Sequence, residues 1–150
     1  MKLSSLICQD CSKAAVLFNS KKRILEFISE LAHNKLPYLA QQDILNSLMA
    51  REKLGSTGIG RGIAIPHARM NGAQDPLALI LINEKPISFD AIDNRPVDIF
   101  VALIVPDGDN SQHLKTLSTI AEKLNNKEFC KQLRSAQSDE SLYQIIVEQS

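Results

Sequence analysis

The stretch GSTGIGRGIAIPHARMNG, residues 55 to 72, gathers five of the chain's six glycines around a single histidine, His67. An imidazole is largely neutral at pH 7 and is then a good nucleophile. A group that accepts a phosphoryl moiety needs donors and positive charge around the anion it will carry. Glycine-rich turns offer backbone N–H groups, here at Gly58; Ser56 and Thr57 offer hydroxyls; and Arg51 stands a helical turn upstream. Two other readings compete. A nucleotide loop of the GxxxxGK type is excluded, because no Gly-Lys pair occurs in the chain. A dinucleotide fingerprint fails too: Gly58-Ile59-Gly60-Arg61-Gly62 has GxGxG spacing, and it leaves a helix and enters a strand. The remaining alternative is that the glycines make turns and His67 carries no chemistry.

Other residues invite weaker readings. Cys8 and Cys11 form CxxC, but a structural zinc needs four ligands and no second pair exists. No metal-ligand cluster is visible, and no cofactor is expected. Asp90, Asp93 and Asp98 fall in and beside FDAIDNRP, where carboxylates shape turns. His113 alone reads as a solvated helix residue. If Asp109 or Asn110 caps that helix, the imidazole lies in its first turn, near free N–H groups and the positive end of the dipole.

The elements that position these groups follow from periodicity. Ser20 is a candidate N-cap for a helix over 20–35, with Ile24, Leu25, Ile28, Leu31 and Ala32 on one face and Pro37 beyond its end. A second helix spans 41–54, with Ile44, Leu45, Leu48 and Met49 inward, Arg51 and Lys53 in the last turn, and Gly55 as its C-cap glycine. Residues 61–66 read as a short strand ending at His67, since Pro66 forces Ile65 to extended geometry. Asn71-Gly72 signals a turn. LALILINE (77–84) and VDIFVALIV (97–105) are apolar enough to be strands buried on both faces. Helices are expected from Ser111 to Leu124, over 127–135, and after Ser138. The order is helix, helix, strands, helices, which points to an α/β or α+β arrangement. The expectation is one α/β domain over 1–150, with a mixed central sheet flanked by helices on both faces.

Composition narrows the function classes. Seventeen basic residues balance seventeen acidic ones, which argues against nucleic-acid binding. No apolar run is long enough to span a bilayer, and MKLSSLICQDCSKAAVLF makes a poor secretory signal. Three cysteines, an odd number, suit a reducing compartment, so a cytoplasmic location is expected.

The segment REKLGSTGIGRGIAIPHAR (51–69) resembles the active-site signature of the IIA domains of the bacterial phosphoenolpyruvate phosphotransferase system, in the mannitol/fructose/nitrogen-regulatory class known as EIIA type 2. The resemblance continues through FDAIDNRPVDIFVALIVP (89–106), His113-Leu114 and AQSDESLYQII (136–146), nearly the whole chain, and it is strongest to the stand-alone nitrogen-regulatory branch. It implies that His67 is phosphorylated on Nε2, that His113 is a second active-site histidine contacting the phosphate, and that Arg51 stabilises its charge. It implies an HPr-like phosphocarrier as donor and regulatory targets such as potassium-transport proteins or sensor kinases. The alternative implied is a sugar-specific IIA component handing phosphate to a separate IIB protein; a third possibility is a binding module in which His67 is never phosphorylated. One departure stands out. Where the family often has a small polar residue such as Asn between the glycines, this chain has Arg61, which with Arg69 is expected either to enlarge a positive rim around His67 and tune partner docking or to be an ordinary surface charge.

Overall fold

In the computed structural model, which describes residues 2–108 and 110–149, the chain opens with a short 3-10 turn and then a strand, β1 (Ile7–Val16). Helices α1 (Lys21–Lys35) and α2 (Gln41–Lys53) follow, then five strands: β2 (Gly58–Gly60), β3 (Ile63–Ala64), β4 (His67–Met70), β5 (Leu77–Ile87) and β6 (Val97–Pro106). Helices α3 (Asn110–Leu124), α4 (Lys127–Ser135) and α5 (Asp139–Gln149) complete the chain. The sheet runs β1-β5-β6-β3-β2, with β4 also on β6. The β5–β6 and β2–β3 pairs are antiparallel, while β1–β5, β3–β6 and β4–β6 are parallel. This is the expected α/β class with a mixed sheet.

The two apolar runs become the centre because both faces of the sheet are covered. From β5 and β6, Leu79, Leu81, Phe100, Ala102 and Ile104 pack against α1 and α2 residues such as Ile24, Ile28, Ile44 and Leu48. The alternate residues, Ala78, Ile80, Ile99, Val101 and Leu103, pack against Ile120, Leu124, Leu133, Leu142 and Ile146 of α3, α4 and α5. The helix starts follow their caps. The Ser20 hydroxyl accepts from Arg23 N at 3.2 Å, Asn126 Oδ1 from Phe129 N at 3.0 Å, and Ser138 Oγ from Ser141 N at 3.1 Å. Gly55 follows the end of α2 with φ 150°.

Two expectations need correction. The first element is a strand, not a helix. Its inward and outward residues do not alternate, because a register shift between Ile7 and Ser12 disturbs its pairing with β5. A bulge of this kind erases the period of two by which strands are read. Second, His67 does not end a strand; it begins β4. Yet β3 and β4 follow one line along β6, with Ala64 opposite Phe100 and His67 opposite Leu103. Pro66 lacks an N–H and interrupts the ladder. Its carbonyl still accepts from Leu103 N at 2.9 Å, so register survives the gap.

Candidate functional site around His67

Alternation along β4 sends Ala68 and Met70 into the core beneath α1 and α2, and leaves half-buried His67 and exposed Arg69 together on the opposite face. The imidazole is held at both nitrogens. Nδ1 lies 2.8 Å from the carbonyl oxygen of Ile65, and Nε2 lies 3.2 Å from Nε of Arg51. A carbonyl can only accept, so Nδ1 carries the proton, and a guanidinium can only donate, so Nε2 offers its lone pair. This fixes the tautomer, with the free lone pair on Nε2. Burial is the largest influence on the ring's acidity and lowers its pKa below 6.5; the Ile65 carbonyl opposes this, the Arg51 charge reinforces it, Glu52 opposes it and Arg69 reinforces it.

Arg51 is placed by its neighbour in sequence. While the Arg51 Nη1 also donates to Gly55 O at 2.8 Å, Glu52 turns inward, its side chain 5 % exposed. Glu52 accepts from Lys21 Nζ at 2.9 Å, from Thr57 N at 3.2 Å and from the Thr57 hydroxyl. The last turn of α2, the start of α1 and the loop after Gly55 are thereby tied to one carboxylate. Sequence reasoning missed Glu52 and Lys21. An acidic residue beside Arg51 on an exposed-looking helix end gives no sign that it is buried.

Beside His67 a cleft of about 290 Å³ is lined by Arg69, Leu103, Val105, His113, Leu114 and Leu117. His113 thus faces the same space as His67. Its Nδ1 is buried and, among the described residues, is the side-chain polar atom left without a hydrogen-bond partner. An orphaned buried nitrogen costs on the order of 1–3 kcal/mol unless something fills the space and pairs with it. The cap expected for α3 cannot be placed: Asp109 and the side chain of Asn110 lie outside the described residues.

In the glycine-rich stretch both hydroxyls have partners within the protein. Ser56 Oγ donates to Phe89 O at 2.6 Å and accepts from Gly58 N at 3.0 Å. Thr57 is 4 % exposed and committed to Glu52. At Gly58 an added Cβ would meet Ala91 Cβ at 2.7 Å, so glycine here permits close backbone approach. Arg61 and Gly62, between β2 and β3, have φ of 57° and 79°. Two successive positive φ values in a two-residue hairpin loop are the mark of a type I′ turn. Arg61 is the first residue of this turn. Its side chain lines a separate cavity with Ile63, Leu124, Asn125 and Arg134, donating to Asn125 Oδ1, and is absent from the His67 cleft. Asp93 accepts the Arg61 N–H at 2.9 Å, and Asp98 pairs with Arg134 at 3.0 Å; both serve the turn and its neighbours. His67, Arg51, Arg69 and His113 are what the fold brings together.

Among the described residues no helix is long and apolar enough to cross a membrane, and no group of three or more His, Cys, Asp or Glu side chains is placed to hold a metal ion. Comparison with known proteins gives a consistent picture. Residues 6–149 match the family model described as phosphoenolpyruvate-dependent sugar phosphotransferase system, EIIA 2. The chain is 48% identical over 151 residues to nitrogen regulatory proteins of Klebsiella oxytoca and of Escherichia coli (strain K12), covering 99% of this chain and 91% of each of theirs. Its fold matches the crystal structure of nitrogen regulatory protein IIA-Ntr from Neisseria meningitidis with a TM-score of 0.89 and 33% identity, over 96% of this chain and 98% of that one. The match to the family model over residues 6–149, with 48% identity to its members along nearly the whole chain, places the chain in the EIIA type-2 family of the phosphoenolpyruvate-dependent sugar phosphotransferase system.

Proposed function

We propose that the protein is a nitrogen-regulatory phosphocarrier that accepts a phosphoryl group on Nε2 of His67 from the phosphohistidine of an HPr-like protein. The observation that carries this reading is the pairing at the imidazole: Nδ1 anchored on Ile65 O at 2.8 Å, with Arg51 Nε at 3.2 Å from Nε2. The Nε2 lone pair attacks phosphorus as the bond from phosphorus to the donor's ring nitrogen breaks, and the donor keeps that electron pair. In such a transfer positioning and electrostatics do most of the work. Arg51 starts on the lone pair that must react. As the N–P bond forms, its guanidinium shifts to the phosphoryl oxygens, following the negative charge. The unpartnered Nδ1 of His113 supplies a second contact, and Leu103, Val105 and Leu117 keep water from the phosphohistidine.

The regulatory assignment is supported by the 48% identity to nitrogen regulatory proteins along the chain. On this reading, the phosphorylation state of His67 sets which targets are bound, with potassium-transport proteins and sensor kinases as the classes to test. The experiment is labelling from phosphoenolpyruvate through the general carrier enzymes. Wild type is expected to take an acid-labile, base-stable label, His67→Ala none, and His113→Ala label at a reduced rate. Absence of label on wild type overturns the reading. Rapid onward transfer to a IIB cysteine would make the protein a sugar-specific component instead.

A further inference from the structure

The CxxC at Cys8–Cys11 plays no part in the site at His67, and its surroundings are unusual for a strand. In regular β structure residues three apart point to opposite faces, about 10 Å distant along the chain. Here both cysteines face the same core, Cys11 fully buried within it and half-buried Cys8 packed against it. The cause is the bulge in β1: Ile7 stands opposite Ala78 and Ser12 opposite Ile80, so five steps of β1 span two of β5. The Ser12 hydroxyl closes this loop on the Cys8 carbonyl at 3.0 Å. The Cys8 thiol is, after burial, one of the groups that push the Cys11 thiol up. Asp10, between them in sequence, pairs with Lys35 Nζ at 2.9 Å, which puts an ammonium group at the exposed end of the motif.

We propose that Cys8 and Cys11 are a reversible thiol–disulfide site that reacts with low-molecular-weight disulfides of the glutathione type. Cys8, the reachable thiol, attacks one sulfur of the disulfide as its thiolate, forming a mixed disulfide and releasing one glutathione thiolate. Lys35 faces the carboxylates of the glutathione so attached. The Cys11 thiol then loses its proton and attacks the Cys8 sulfur, expelling the second glutathione. Two protein thiols become one disulfide, one glutathione disulfide becomes two thiols, and the two protons end on them. The division of labour is physical: a half-exposed thiol meets the reagent, and a buried one, unable to meet it, resolves the adduct. Burial pushes the Cys11 thiol up to about 12, which keeps it from attacking the free reagent directly. Closure fits a loop already folded back on itself and requires no ligand beyond the pair.

The test is mass mapping of the folded, reduced full-length protein after exposure to oxidised glutathione without denaturant. The three free thiols are expected to fall to one, with a peptide carrying an internal Cys8–Cys11 bond and with Cys130 unmodified. Reduced glutathione in excess is expected to restore all three. In Cys11→Ser a stable glutathione adduct is expected on Cys8, and in Cys8→Ser no reaction. A lasting adduct on Cys8 of the wild type, or closure only in denaturant, overturns the proposal. The wild-type mapping decides the matter even if the Cys11 variant fails to fold. It is independent of His67 labelling.

Discussion

At pH 7 an unperturbed imidazole is partly protonated and, when protonated, cannot attack. Around His67, loss of solvent is the largest influence against the charged form, with Arg51 and Arg69 adding to it and the Ile65 carbonyl and Glu52 pulling the other way. The folded pKa is therefore below 6.5. Two consequences follow with their signs. Phosphoryl acceptance should fall with pH through a midpoint below 6.5; an NMR titration of the His67 ring alongside the rate profile would check this, and a midpoint at or above 6.5 would refute the assignment of causes. Stability follows the same window. The contribution of neutral His67 is complete above about pH 6.5, the unfolded value, and is lost as pH falls through the lower folded value. Arg51 gives the second prediction at this scale. Its Nε and Nη1 hold His67 and Gly55 O at once, a fork that an ammonium cannot reproduce. Arg51→Lys should keep the charge yet slow phosphorylation by roughly 10²-fold, the scale of losing one transition-state donor, as read by rapid-quench labelling. A rate within threefold of wild type, about the ordinary scatter of single-contact effects, would show that charge alone suffices.

The turn between β2 and β3 shows how an element constrains sequence. Arg61 sits at φ 57° and Gly62 at φ 79°. A left-handed conformation costs a non-glycine residue about 1–2 kcal/mol, less for Asn. The exposed contact of Arg61 with Asn125 is worth about 0–1 kcal/mol. Arg61→Asn is therefore expected to be neutral or slightly stabilising. Gly62→Ala should destabilise by roughly 1–3 kcal/mol, because its Cβ would also lie 2.6 Å from Arg134 Nη2 and 3.0 Å from Asp98 Oδ1. Urea unfolding of the two variants checks the contrast; an opposite order would mean that the Arg61–Asn125 contact outweighs the backbone. This turn also explains what could be read in the sequence. Five glycines in eighteen residues announced special backbone, but an anion nest and a type I′ turn need the same freedom from glycine. What separates them is supplied by Ala91, Asp93, Asp98 and Arg134, distant in the chain. His67 itself was legible, as were both central strands and the caps at Ser20 and Ser138, because each depends on local pattern. β1 was hidden because its bulge breaks alternation, and Glu52 because burial at a helix end is decided by what α1 brings to it.

Across the whole molecule, the site is built from segments on either side of the sheet's helical layers. His67 comes from β4, Arg51 from α2 and His113 from α3, while α1 contributes through Lys21. The junction of α1, α2 and the loop after Gly55 is the Glu52 carboxylate, which holds Lys21 Nζ at 2.9 Å and Thr57 through its N–H and hydroxyl. Lys21 also lies 4.5 Å from the centre of the Phe89 ring, so the ammonium links this network to the wall of the core. Breaking a fully buried ion pair by removing one partner costs about 3–5 kcal/mol. Lys21 retains 23 % exposure and can be partly rehydrated, so roughly 1–3 kcal/mol is the reasonable expectation for Glu52→Gln. Replacing both partners should cost less than the sum, since no charge is then stranded. A double-mutant cycle of Glu52→Gln and Lys21→Met by thermal unfolding is thus expected to give a coupling of about 1 kcal/mol or more. Additivity would show that the two side chains act separately. The same variants discriminate a local from a global role. If Glu52 only stabilises the fold, His67 should titrate unchanged in Glu52→Gln. If it also shapes the field at the nucleophile, removing its negative charge should lower the His67 pKa further, because Glu52 raises it in the native protein. The second outcome is expected: the carboxylate that holds three elements together stands next in sequence to the arginine on His67 Nε2, so its loss should be felt at both scales.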